Sequence, residues 1–154
     1  TERGASVRFL GLLLGKKTQS LNLSVKVSHQ AEDTKSEVII KSALSDTAKV
    51  DIEGLVKIEQ GAKGTNAWLA AHLLLLSEKA KGRAVPSLEI LENDIKAGHA
   101  TTVGRINDLE MFYLMSRGLS KEIAKSMIVA GFLQSMIDLF PNALAKKAKE
   151  EMTI

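Results

Sequence analysis

Few side chains in this sequence are able to do chemistry, and their spacing narrows the choice further. There are three histidines, His29, His72 and His99, and no cysteine. The histidines stand too far apart for a metal pair of the His-x-x-x-His kind. Without cysteine there are no disulfides, no thiolate nucleophile, no thiolate zinc site and none of the usual ligands of an iron–sulfur cluster. His99 has a context of its own, within Lys96-Ala-Gly-His-Ala-Thr-Thr-Val-Gly-Arg-Ile106. Gly98 there permits a close backbone approach, and Ala100 leaves the ring uncrowded. A neutral imidazole so placed can ligate iron or another metal, and it can equally be a hydrogen-bonded structural residue. His29 closes a strand beside Gln30, where a turn role fits, and His72 sits in an apolar run as a packed or outward ring. Glu89, Glu92 and Asp94 gather just ahead of His99. Strand alternation would put Glu92 and Asp94 on one face, either as a solvated edge or as carboxylates joining the histidine.

The segment Gly11-Leu-Leu-Leu-Gly-Lys-Lys-Thr18 looks like a phosphate loop but fails on spacing. Such a loop needs four residues between its glycines and a hydroxyl residue directly after the first lysine. It reads instead as a turn between strands, so any linked nucleotide hydrolysis belongs to a partner. No Ser/His/Asp order and no dinucleotide fingerprint is present, and the chain is not expected to be an enzyme.

Charge gives little direction. Lys and Arg number 21 against 18 Asp and Glu, for a net charge of +3, with the signs interleaved, which does not suit nucleic-acid binding. Lys146, Lys147 and Lys149 precede Glu150 and Glu151 and read as the solvated last turn of a helix. The longest apolar runs, Phe9 to Leu14 and Leu73 to Leu76, fall far short of the ~20 residues that cross a membrane. No charged and apolar leader opens the chain, and it does not begin with methionine. These points suggest a cytoplasmic protein and a fragment or processed product. The sequon Asn22-Leu23-Ser24 is a chance match in that setting.

The elements that must position these residues follow from periodicity. From Thr18, Leu21, Leu23, Val25 and Val27 alternate with Asn22, Ser24 and Lys26, which is the period of a strand. Similar runs recur at Glu37 to Lys41, Lys49 to Glu59, Asn66 to Leu76 and Ser87 to Leu91. Ser45-Asp46, Gln60 to Gly64 and Lys79 to Arg83 separate them as turns. Five or six strands at intervals of roughly 12 to 20 residues fit the rungs of a parallel β-solenoid, with a β-sandwich as the alternative. Beyond Gly104 the period changes. Asn107 and Glu110 form an N-cap pair for a helix through about Ser116, with Gly118 as its left-handed stop. Ser120 caps a second helix, whose Ile123, Met127, Ile128, Phe132 and Met136 form one buried stripe running on to Phe140. Pro141 opens a third. Strands first and helices afterwards argue against a doubly wound sheet. The 45% hydrophobic share with 4% aromatics points to aliphatic packing.

The run His99-Ala-Thr-Thr-Val-Gly104, followed by Met111-Phe-Tyr-Leu-Met-Ser-Arg-Gly118, resembles the SufB/SufD family of iron–sulfur cluster assembly scaffolds, in particular its SufD-like members. Weaker matches in the same order are Gly11 to Leu14, Gln19, His29, Gly54, Gly61-Ala62, Leu74 to Ser77, Pro86 to Ile90 and Asn93 to Lys96, so the likeness covers nearly the whole chain. The resemblance implies a mainly β protein with some α: a right-handed parallel β-helix over residues 1–104, the C-terminal part of a longer core, then a helical subdomain over residues 105–154. It implies a scaffold on which a transient iron–sulfur cluster is built, pairing as a homodimer or SufB/SufD heterodimer, with a SufC-type ABC ATPase docked on the C-terminal helices. His99 inherits the role of a cluster ligand at the dimer interface, and Phe112, Tyr113, Arg117 and Gly118 fall where the ATPase would dock, along with the helix from Lys121 to Phe140. The sequence departs from the family at Ala97, where SufD-like members often carry cysteine, and at Ile90, the place of a SufB cysteine. Gly98 and Ala100 replace the carboxylates that flank the SufB histidine. Any cluster would therefore be shared with a partner chain and not held tightly by this chain alone. The alternatives are an adaptor without a metal role, or a β-solenoid binding module of another kind.

Overall fold

The computed structural model describes residues 2–151. Seven strands of ten residues succeed one another: β1 (Ser6–Gly15), β2 (Ser20–His29), β3 (Lys35–Leu44), β4 (Lys49–Ile58), β5 (Asn66–Leu75), β6 (Lys81–Ile90) and β7 (Lys96–Arg105). They wind into a parallel solenoid of about three turns, two strands to a turn, with one sheet ordered β1-β3-β5-β7 and the other β2-β4-β6. Ser6 lies beside Lys35, Lys35 beside Asn66 and Asn66 beside Lys96; in the facing sheet Ser20, Lys49 and Lys81 line up in the same way. A turn takes about thirty residues, as in the bond from Ser45 to Gly15, 30 positions apart. Every pairing is parallel, so the sandwich alternative falls.

In-register stacking sets like upon like. Val38 and Leu69, Ile40 and Ala71, Ile52 and Ala84, and Val56 and Leu88 are neighbours along inward columns, and the buried members fill the narrow space between the sheets. The corners stack too: Gly4, Asp33 and Gly64 take the same left-handed backbone at successive turns, as do Lys17 and Asp46 at the opposite corner. On the outside, Arg83 reaches Asp51 at 2.7 Å and Arg8 pairs with Glu37, each across neighbouring strands. Exposed pairs of this kind are screened by solvent, so they tune the register more than the stability.

Three helices follow: α1 (Asp108–Ser116), α2 (Lys121–Ile137) and α3 (Asn142–Glu151). Asn107 Oδ1 accepts from Leu109 N at 2.8 Å, Ser120 Oγ accepts from Ile123 N at 3.3 Å, and Gly118 at φ 91° stops α1; the expected reciprocal bond from Glu110 to Asn107 is not formed among the described residues. Helix α2 lies on the outer face of the β1-β3-β5-β7 sheet, where Val129, Leu133 and Ile137 meet Ala43 and Leu74, with Leu12, Leu14 and Leu76 alongside. Among the described residues no helix is long and apolar enough to cross a membrane.

Four expectations need correction. Gly11 to Gly15 is strand and only Lys16 to Thr18 turns. The run escapes the alternating pattern because both its faces are covered, Phe9 and Leu13 by the interior and Leu12 and Leu14 by the helices. Strand β6 begins at Lys81, inside the segment read as a turn. The buried face of α2 is Ala124, Val129, Leu133, Met136 and Ile137, while Ile123 is 52% and Met127 50% exposed. That helix is apolar around most of its circumference, so spacing alone admits two stripes and docking on Ala43 and Leu74 selects one. Finally, α2 stops at Ile137 and Leu139–Phe140 belong to the turn ahead of α3.

Candidate functional site

The end of the solenoid formed by β6 and β7 is open. His99 is paired in register with Leu69, an interior residue, so its column is the one that points between the sheets. Among the described residues no strand follows β7 in that sheet, and His99, Thr101 and Val103 are left exposed, with Ile90 exposed at the end of β6. The arrangement offers an imidazole on a rigid edge strand, beside unpaired backbone groups and apolar side chains that a second surface could cover.

Gly98 has a different task from the one its neighbour suggested. A Cβ at Gly98 would stand 2.7 Å from Trp68 Cζ3, so what approaches closely is the half-exposed indole of the adjacent strand, on the outer face of the sheet. The carboxylates do not join the histidine on a strand. Strand β6 ends at Ile90, and Glu92 lies in the following turn, accepting from Gly61 N at 3.0 Å and Asn93 N at 2.9 Å. Hydrogen bonds from the backbone of Asn93, Gly61 and Asp94 hold its carboxyl below the usual range. Its work is to staple two successive corners. Among the described residues no group of three or more histidines and carboxylates is placed to hold a metal ion.

The other histidines are accounted for internally. His29 is buried, with Nδ1 2.7 Å from Thr34 Oγ1 and Nε2 2.8 Å from Ser36 Oγ. Thr65 Oγ1 donates to Ala62 O, and Thr34 Oγ1 lies within reach of both Ala31 O and Thr65 Oγ1. The Thr34 proton therefore has an acceptor elsewhere, which leaves its oxygen free to accept from Nδ1–H of a neutral ring while Nε2 accepts from Ser36. Burial keeps His29 below the ordinary histidine range. His72 lies on the outer face, its Nδ1 2.9 Å from Thr102 Oγ1, and burial followed by the nearby Lys41 charge lowers it as well.

Helix α1 supplies the second surface. Phe112 is 71% exposed and Tyr113 also projects outward; the Arg117 guanidinium lies over the Tyr113 ring at 5.3 Å, and Gly118 closes the helix. Sequence reasoning missed Leu109, which is 77% exposed, and Met115; Ile123 and Met127, inside the helix named for docking but expected on its buried stripe, are exposed as well. The signal was present. Leu109-Glu-Met-Phe-Tyr-Leu-Met is apolar around the whole helix, and no residue of α1 is buried. A helix of that composition is normally interior, and here it is left outside.

Lys41 was not anticipated either. It projects from β3 to α2, where its ammonium donates to Phe132 O and, at 2.8 Å, to Ser135 Oγ, and lies 4.7 Å from the centre of the Phe132 ring. It ties the helical layer to the solenoid.

Residues 1–132 match the family model described as the SUF system FeS cluster assembly, SufBD core domain. The chain is 36% identical over 136 residues to the iron-sulfur cluster assembly protein SufD of Bacillus subtilis, covering 88% of this chain and 31% of that protein. It is 32% identical over 138 residues to SufB of the same organism, covering 90% of this chain and 30% of that protein. A SufBD family protein of Pyrococcus horikoshii is 36% identical over 135 residues, 88% of this chain and 30% of its own length. The chain thus spans about a third of the length of these three relatives.

Proposed function

Because the chain belongs to the SufB/SufD core family of the SUF iron–sulfur cluster assembly system, we propose that it forms part of a cytoplasmic scaffold subunit, non-catalytic in itself, with two working surfaces. The first is the open end of the solenoid, where β6 and β7 meet a second core, either another copy or a SufB/SufD partner. The second is the apolar face of α1 and α2, on which the ABC-type ATPase SufC docks.

The observation that carries this reading is the unburied apolar helix α1 beside a solenoid whose last turn is uncovered. The cluster is the scaffold's cargo. A neutral His99 imidazole is a competent nitrogen ligand for iron. With no cysteine, and no group of three or more metal-ligating side chains among the described residues, this chain offers His99 as a nitrogen ligand and no thiolate to a nascent cluster. Thiolates must come from the partner core or from elsewhere in the longer protein. The absence of cysteine also favours a second reading, in which the chain is a docking subunit with no contact to the cluster.

Titrating the purified ATPase into the full-length protein tests the docking surface shared by both readings. Saturable binding in a fixed ratio supports it; no heat and no co-elution would remove it.

A further inference from the structure

With no cysteine, the sulfur of this chain is carried by five methionines, and the fold treats them unequally. Met136 is buried in α2 and Met111 is half-buried in α1, whereas Met115 is 43% and Met127 50% exposed. Met152 lies outside the described residues. The two exposed methionines stand on one pair of helices, Met115 near the end of α1 and Met127 in α2. Met115 follows Phe112 by three residues and Met127 follows Ile123 by four, the spacings at which side chains meet on a helix face. Phe112 and Ile123 are exposed too, so both thioethers belong to the apolar surface of these helices.

An exposed thioether is a soft, polarizable nucleophile. Its sulfur lone pair attacks one oxygen of hydrogen peroxide, so that an S–O bond forms as the O–O bond breaks. The departing hydroxide takes the proton from the transferred oxygen and leaves as water. The sulfur is oxidised by two electrons and the peroxide reduced by two. The product, a sulfoxide, puts a strong dipole where a flexible apolar contact stood. The change stays at the surface: both side chains lie outside the core, and Met115 O is already engaged by Gly118 N at 3.0 Å.

We propose that Met115 and Met127 are oxidation sites through which peroxide switches off the docking surface of α1 and α2. Pressed against an apolar partner, a sulfoxide oxygen loses the hydrogen bonds that water gives it. The oxidised face therefore binds the ATPase more weakly while the fold stays intact, and enzymatic reduction of the sulfoxides restores binding. This inference rests on the reading of that face as the ATPase's, and adds the condition under which the two separate.

The test treats the full-length protein with hydrogen peroxide, then with dithiothreitol to reverse disulfides and sulfenic acids at any thiol of the longer protein. Calorimetric titration with the purified ATPase follows. Peptide mass spectrometry should find sulfoxide at Met115 and Met127 before Met136. Binding should weaken about tenfold or more, the order that an unpaired buried polar group costs, with the melting temperature unchanged. Methionine sulfoxide reductases should restore it. In Met115→Leu/Met127→Leu, affinity after peroxide should equal that variant's own untreated value. Full conversion at both positions with undiminished binding overturns the proposal. So does an equal loss in the leucine variant, or a melting temperature that falls along with the binding. An untreated protein that binds no ATPase removes the docking reading itself, and this inference with it.

Discussion

Leu69 reaches across the solenoid into the space that a side chain on Gly54 would occupy: a Cβ at Gly54 would stand 2.6 Å from Leu69 Cδ1. The two residues lie on opposite sheets, and Leu69 is also the register neighbour of His99. The interior is therefore filled by leucines that use glycines facing them, and this tight fit fixes the β7 edge relative to the sheet across from it. Gly54→Ala is expected to cost about 1–3 kcal/mol by overpacking. Gly131→Ala, in α2 where nothing lies within 4 Å, should stabilise by about 0.5–1 kcal/mol. Urea unfolding of the two variants should move the midpoint in opposite directions.

Lys41→Met keeps the apolar stem and removes the ammonium that holds Phe132 O and Ser135 Oγ. A hydrogen bond from a charged, half-buried donor contributes about 1.5–3 kcal/mol. Hydrogen exchange should quicken in α2 and α3 and stay unchanged in β4 and β6, which Lys41 does not touch. Equal exchange in the helices would show that the apolar contacts suffice to hold them.

Acid sensitivity follows from His29. Its folded form is kept neutral by burial, so its affinity for protons lies below the unfolded value of 6.5. The unfolded chain then binds more protons as pH falls below about 6.5, and stability declines with pH in that window. His72 adds a decline of the same sign. Glu92, held below its unfolded 4.5, adds a further loss only at lower pH, as it protonates. Unfolding free energies at pH 7.5 and 5.5 should differ in the natural protein, and the difference should shrink in His29→Gln, whose pH 7.5 baseline will also be lower.

Phe112→Ala and Leu109→Ala remove exposed side chains, so each should change stability by no more than about 0.5 kcal/mol. If α1 is the docking face, the same substitutions should weaken ATPase binding by about 2 kcal/mol each, roughly thirtyfold. Calorimetric titration beside thermal melts separates the two effects.

Much of this architecture was legible in the residues. Period-two alternation from Leu21 to Val27 marked β2, and Asn107, Gly118 and Ser120 set the ends of α1 and the start of α2. What escaped did so for physical reasons. β1 is apolar on both faces because helices cover its outside, which erases alternation. The orientation of α2 depends on Ala43 and Leu74, more than fifty residues upstream. Gly98 answers to Trp68, a neighbour only through the thirty-residue repeat, and Glu92 serves a turn because β6 ends two residues earlier. The residues with candidate chemistry were named from sequence, and the family resemblance set Phe112, Tyr113 and Arg117 on a docking surface, but the exposure of Leu109 and Met115 appears only once the solenoid is seen to leave α1 uncovered.

The scaffold account is tested most directly by anaerobic reconstitution of the complete complex with iron and sulfide, comparing the natural protein with His99→Ala and reading cluster yield by absorbance and iron content. The account predicts a several-fold lower yield for His99→Ala, with complex assembly and ATP turnover unchanged. Equal yields would contradict a ligand role for His99 and leave the chain as a docking subunit alone.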